Sequence, residues 1–290
     1  MSAPPPKLDD LRRDIDRIDD ALHDLLMQRA DIVLKIGAAK PQGRPFFRPA
    51  REAAILRRLA DRHGGAFPMA AMLRMWREMI SALTRIQGSF AVAVCAPEDQ
   101  RSVLWDVARD HYGSTTPMMA CNTPVAAMRC VAEGNATIAV VPWPEEEDAD
   151  PWWRYLFSSD AKTPRIIARL PFLTRGPRDD VDALALAAVP LEPTGDDRTL
   201  LGIELSQDMS RGRLKDGVEA CGLPTLAFRT HHLPGGAGAV HLLEVEGFVA
   251  EDDPRLGQLA DRLGDSLMRI LPIGAYATPM VAPGAEHRRG

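Results

Sequence analysis

The sequence lacks closely spaced cysteines, long apolar runs, a basic excess and, nearly, lysine. Its four cysteines, Cys95, Cys121, Cys130 and Cys221, are scattered with no C-x-x-C pair. Neither a zinc site nor a disulfide framework is therefore expected, and they read as reduced, buried thiols of a cytoplasmic protein. No run of about 18 apolar residues occurs, which argues against a membrane span. The opening MSAPPPKLDD has no apolar core of the kind a secretory signal carries. A net charge of −5 and a pI near 5.8 leave no electrostatic footprint for nucleic acid. Five lysines stand against thirty arginines; with the high alanine content this reflects a GC-rich genome, so one arginine carries weight only where its position is odd. No metal or cofactor is expected. His231, His232 and His241 fit a polar hairpin near Gly235–Gly236, and Gly-Gly-Ala-Gly precedes a strand, not the helix a phosphate loop requires. Trp152–Trp153 reads as core or interface.

What is present is a globular composition: 290 residues, 46% hydrophobic and 26% charged, enough for two or three domains. Residues 8–40 are free of proline, and Leu8, Leu11, Ile15, Ile18, Leu22, Leu25, Leu26, Val33 and Ile36 recur at steps of three and four. That spacing predicts one helix about 50 Å long. A second helix is expected from Pro49 to about Arg62, and a third from near Pro68 to Gly88. Together they make an all-α domain over residues 1–89. A lone 50 Å helix has too little of its own chain to cover it, so a homodimer is expected.

From Phe90 the pattern changes. FAVAVCA and ATIAVVP read as buried strands, with helices over 99–111 and 123–133 between them. RIIARLPF and ALALAAVPL read as two more strands, and PEEEDADP as a solvated acidic loop. Residues 90–195 are thus a small α/β lobe. Residues 196–282 read strand, helix, strand, strand, helix, strand, the split βαβ order of an α+β ferredoxin-like domain. Residues 283–290 are expected to be a disordered tail.

The odd positions lie in the helical domain. Arg29 falls seven residues after Leu22 and Lys40 seven after Val33, within about 20° of the apolar direction. Arg51 precedes Ile55 by four, Glu52 precedes Leu56 by four, and Gln87 follows Ile80 by seven. Five polar residues on three helices point where the helices should meet. Burying three cations and one carboxylate without a partner is very unfavourable, so an anionic guest is expected among them. Arg12 sits about 25 Å along the first helix from Arg29 and reaches the same guest only from an antiparallel second chain.

Residues 8–88 resemble the all-helical class of chorismate mutase in the long first helix, the LR…QR…K spacing, the P-x-RE helix start and the terminal Gln87. The resemblance implies an intertwined dimer holding chorismate, which it isomerises to prephenate without a cofactor. It places Arg29 and Arg51, with Arg12 of the partner chain, on the two carboxylates, Lys40 and Gln87 on the ether oxygen, and Glu52 on the ring hydroxyl. Arg48 stands where the family often has an acidic residue, and Leu83, with Thr84 beside it, where the family often has serine. Residues 90–282 resemble, more faintly, the remainder of a P-protein: a prephenate dehydratase lobe (CNTPVAAMRCVAEGNATIAVVP) and an ACT domain (RILPIGAYATP). The Glu-Asn expected after VVP is Trp143–Pro144, no Thr-Arg-Phe occurs, and Thr174–Arg175–Gly176 falls in a turn. Only about ten residues join RIIARLPF to ALALAAVP, where that family inserts a second lobe, so dehydratase activity is not expected. The ACT effector motifs appear as Gly212–Arg213–Leu214 and Arg229–Thr230–His231–His232, which argues against an amino-acid effector there. A regulatory amino-acid-binding protein with a decayed mutase site is the alternative; a bifunctional mutase and dehydratase ranks last.

Overall fold

The computed structural model describes residues 7–39, 45–96, 101–146, 148, 150–158, 160, 162–174, 182–207 and 209–282. Lys40, the linker 41–44, Arg175–Gly176 and the C-terminal tail lie outside the described residues. The chain opens with three helices, α1 (Leu8–Ala39), α2 (Pro49–Asp61) and α3 (Met69–Arg85). Proline at the first position of α2 costs no hydrogen bond, because that N–H has no partner inside a helix. Leu56, Leu73 and Ile80 form the buried faces of α2 and α3.

An α/β body follows: β1 (Val92–Cys95), α4 (Arg101–Tyr112), β2 (Met118–Cys121), α5 (Pro124–Ala132), β3 (Ile138–Pro142), β4 (Arg165–Leu170), β5 (Leu173–Thr174) and β6 (Ala183–Ala187). In β1 and β3 alternate residues serve opposite faces. Val92, Val94, Ile138 and Val140 pack with Leu104 and Ala108 of α4, whereas Ala93, Ala139 and Val141 pack with Ala127 and Met128 of α5. This two-sided burial is why both strands are continuous apolar runs. The strand β2 is not apparent in the sequence: it is a four-residue edge element, parallel to β1 and only partly buried.

The C-terminal unit runs β7 (Asp197–Leu205), α6 (Arg211–Glu219), β8 (Thr225–His232), β9 (Ala239–Glu246), α7 (Pro254–Leu263), β10 (Leu267–Ala277) and β11 (Met280–Val281). Its four long strands lie in the order β10-β7-β9-β8, all antiparallel, with α6 and α7 closing one face over Leu201, Ile203, Leu243 and Val245. Trp152 and Trp153, almost fully buried, fill the opposite face with Leu200, Val240 and Leu242.

The lobe and the C-terminal unit share one nine-stranded sheet, β2-β1-β3-β6-β4-β10-β7-β9-β8. They join where β10 runs parallel to β4 with Gly274 opposite Ile166. A Cβ on Gly274 would lie 2.5 Å from the Ile166 carbonyl oxygen, so only glycine permits this junction. The helical domain docks on this body through α2 and α3. Leu56, Met72 and Leu73 meet Phe172 and Ala277, and Phe47 packs with Phe90 and Tyr112 at ring separations of 5.4 and 6.4 Å. The Arg57 guanidinium donates to Thr194 Oγ1 (2.8 Å) and to the Asp196 carbonyl (2.6 Å).

The first helix is left uncovered within the chain. No residue of α1 is buried, and Leu11, Ile15, Ile18, Leu22, Leu25 and Leu26 are each at least 43% exposed. The apolar stripe is there, but α2 and α3 turn their apolar faces to each other and to the sheet body, leaving little within one chain to cover it.

Candidate active site

The inward-facing residues are brought together only in part. Arg29 on α1 feels the charge of Arg51 on α2. Burial, then the charge of Arg51, lowers the Arg29 pKa, and its buried Nη1 has no hydrogen-bond partner among the described residues. Neither guanidinium forms an ion pair among the described residues, and unpaired arginines of this kind suit an anion. Gln87 reaches the C-terminal end of α1: its Cγ and Oε1 lie 3.6 and 3.8 Å from the position a Cβ would take on Gly37. Its Nε2 donates to the Leu83 carbonyl at 3.2 Å, which steadies the amide at the C-terminal end of α3. Lys40 directly follows the last helical residue of α1, Ala39, but lies outside the described residues.

The other expected residues stand apart. Arg12 is exposed near the start of α1 and pairs with Asp9 at 3.3 Å; the seventeen residues to Arg29 put it about 25 Å away along the helix. Arg48, in extended backbone ahead of α2, forks onto Glu192 at 2.9 and 3.0 Å. Thr84 is buried and donates its hydroxyl to the Ile80 carbonyl at 2.9 Å, and Leu83 is half-buried.

Glu52 lies in the seam between helices and sheet. There Arg77 Nη1 donates to its Oε2 at 3.1 Å, with the two side chains only 7% and 13% exposed. Burial pushes the Glu52 carboxyl up to about 7 against the pull of Arg77. Burial and Arg77 together hold His111 well below its usual pKa, so it is neutral. The Tyr112 hydroxyl is buried beside them without a hydrogen-bond partner among the described residues. Glu52, Arg77, His111, Tyr112 and Phe172 border a cavity of about 30 Å³. Sequence reasoning passed over Arg77, although its position, four after Leu73 and three before Ile80, puts it squarely in the buried stripe of α3.

The family model described as chorismate mutase type II matches residues 11–88. The chain carries a chorismate mutase type II domain at its N-terminus. This mutase domain spans α1 to α3 and contains Arg12, Arg29, Lys40, Arg48, Arg51, Glu52, Leu83, Thr84 and Gln87. Among curated proteins, the chain is 32% identical over 131 residues to a bifunctional chorismate mutase/prephenate dehydratase of Neisseria gonorrhoeae, covering 45% of this chain and 35% of the relative. A protein of the same description from Aquifex aeolicus is 30% identical over 141 residues, 47% of this chain and 38% of the relative. Both alignments are longer than the mutase domain, so they reach beyond it, yet the matched region spans little more than a third of either relative. Among solved structures, prephenate dehydratase from Streptococcus mutans aligns over 67% of this chain and 98% of its own with a TM-score of 0.46 and 14% identity. No helix among the described residues is long and apolar enough to cross a membrane, and no group of three His, Cys, Asp or Glu among them is arranged to hold a metal.

Proposed function

We propose that the chain is a homodimeric chorismate mutase, converting chorismate to prephenate in the helical domain. The observation that carries this reading is the half-buried Arg29, which feels the charge of Arg51 and whose Nη1 has no hydrogen-bond partner among the described residues. The reaction breaks a C–O bond and forms a C–C bond in one pericyclic step, so it needs no nucleophile. It needs a dianion held in a compact conformer, with donors where charge grows on the ether oxygen. Arginine forks suit the carboxylates; Lys40 and Gln87 supply the donors.

The uncovered apolar stripe of α1 supports the dimer. A second chain running antiparallel would cover Leu11 to Leu26 and carry its Arg12 to the middle of this helix, beside Arg29. The C-terminal βαββαβ unit is ACT-like in this reading and serves as scaffold or regulator. Prephenate dehydration is left out, because residues 171–182 alone join β4 to β6, where a second lobe would have to be inserted. The purified chain is expected to consume chorismate, followed as loss of its absorbance with prephenate as product. Chorismate that stays intact at micromolar enzyme would overturn the proposal.

A further inference from the structure

The Glu52–Arg77 pair joins the mutase domain to the sheet body, and neither the resemblance nor the mutase chemistry calls for Arg77. We propose that Arg77 is a positioning residue: it sets the direction and charge of the Glu52 carboxylate and makes the α/β body part of the mutase site. This rests on the mutase reading above.

Glu52 is the neighbour of Arg51 on α2, so its carboxylate starts one helical step, about 100°, from the arginine pair. Arg77 bonds it in the seam. The Arg77 guanidinium lies over the Phe172 ring, 5.2 Å from its centroid, on the segment that leaves β4. His111 and Tyr112, at the end of α4, complete the enclosure. The groups facing Glu52 are therefore Arg77 from α3 and His111 and Tyr112 from α4, with Glu192, paired to Arg48, at the border of the same cavity. His111 is neutral, and Tyr112 stays protonated because its pKa is raised by burial and by Glu52. Among the described residues, Arg77 is the charged group that bonds the carboxylate. A change on the sheet body that shifts Phe172 or α4 alters Arg77's hold on Glu52 without touching α1.

The test compares Glu52→Gln, Arg77→Met, Arg77→Lys and Phe172→Leu in the full chain. Two readouts are used: titration of the 13C-labelled Glu52 carboxyl by NMR, and the pH profile of kcat/KM for chorismate. Wild type should titrate near pH 7 and show a kinetic limb there that Glu52→Gln abolishes. Arg77→Met should raise both midpoints by about one to three pH units. Phe172→Leu should raise them by less, and Arg77→Lys should restore most of the wild-type value. If Arg77→Met fails to fold, Phe172→Leu and Arg77→Lys decide. A moved NMR midpoint with an unmoved kinetic limb would make Arg77 a purely structural residue and overturn the proposal; so would midpoints unchanged in every variant. Absence of turnover in wild type would instead refute the mutase reading, with the catalytic half of this proposal, while the NMR midpoints would still report whether Arg77 controls Glu52.

Discussion

Replacing Lys40 by alanine should lower kcat/KM for chorismate by about 100- to 1,000-fold, the loss typical of removing one preorganised donor to a developing oxyanion. The rearrangement offers the protein no covalent step to assist. Rate comes from holding the substrate folded and from donors aimed at the ether oxygen as its bond breaks. In the mutase reading Lys40, the residue that follows α1, is the donor to that oxygen beside Gln87. The decrease should fall mainly on kcat, because the carboxylates would keep their arginines. Gln87 would remain as a donor, which is why the loss stays well short of complete. Steady-state kinetics of Lys40→Ala beside wild type gives the answer. Equal kcat/KM values would place the reaction elsewhere.

Arg77→Met should destabilise the fold by about 3 kcal/mol at pH 8 and by clearly less at pH 5.5. Removing one partner leaves the other group buried alone, and that costs far more than the pair itself contributes. Here the remaining group is a carboxyl that burial already pushes up to about 7. The sign follows from linkage. Because the folded pKa lies above the unfolded one, the stability Glu52 contributes is fully present below its unfolded pKa and is lost as pH rises through about 7. Without Arg77 the folded pKa rises further, so the loss continues to higher pH and the penalty widens there. At pH 5.5 the carboxyl is neutral in both folded proteins, and only packing and the lost hydrogen bond remain. Urea unfolding of both chains at the two pH values measures the difference. A penalty independent of pH would show that Glu52 is not the group left uncompensated.

Elements with strong periodicity or two-sided burial were legible in the sequence. The stripe of α1, the proline that opens α2, and the apolar runs of β1 and β3 each carry their own signal. Arg29, Arg51 and Gln87 stand out in the sequence as well, because a polar residue in an apolar helical stripe is visible by counting. Three features were not. The short β2 is too exposed and too brief to show alternation. The merging of the lobe and the C-terminal unit into one sheet depends on a single long-range pairing, Gly274 with Ile166, which no local pattern encodes. The direction taken by Glu52 was hidden for a related reason: it lies in the stripe of α2, but that stripe serves both α3 and the sheet body. The partner that claims it, Arg77, is 25 positions away and was hidden among the many arginines.

The most direct measurement mixes two inactive variants, Arg12→Ala and Arg29→Ala, after denaturing and refolding them together. If each site takes Arg29 from one chain and Arg12 from the other, every mixed dimer regains one intact site of two. Half the dimers are mixed at random pairing, so about one quarter of wild-type activity should return. Activity no higher than that of the two variants measured separately would contradict an anion-binding site shared between two chains.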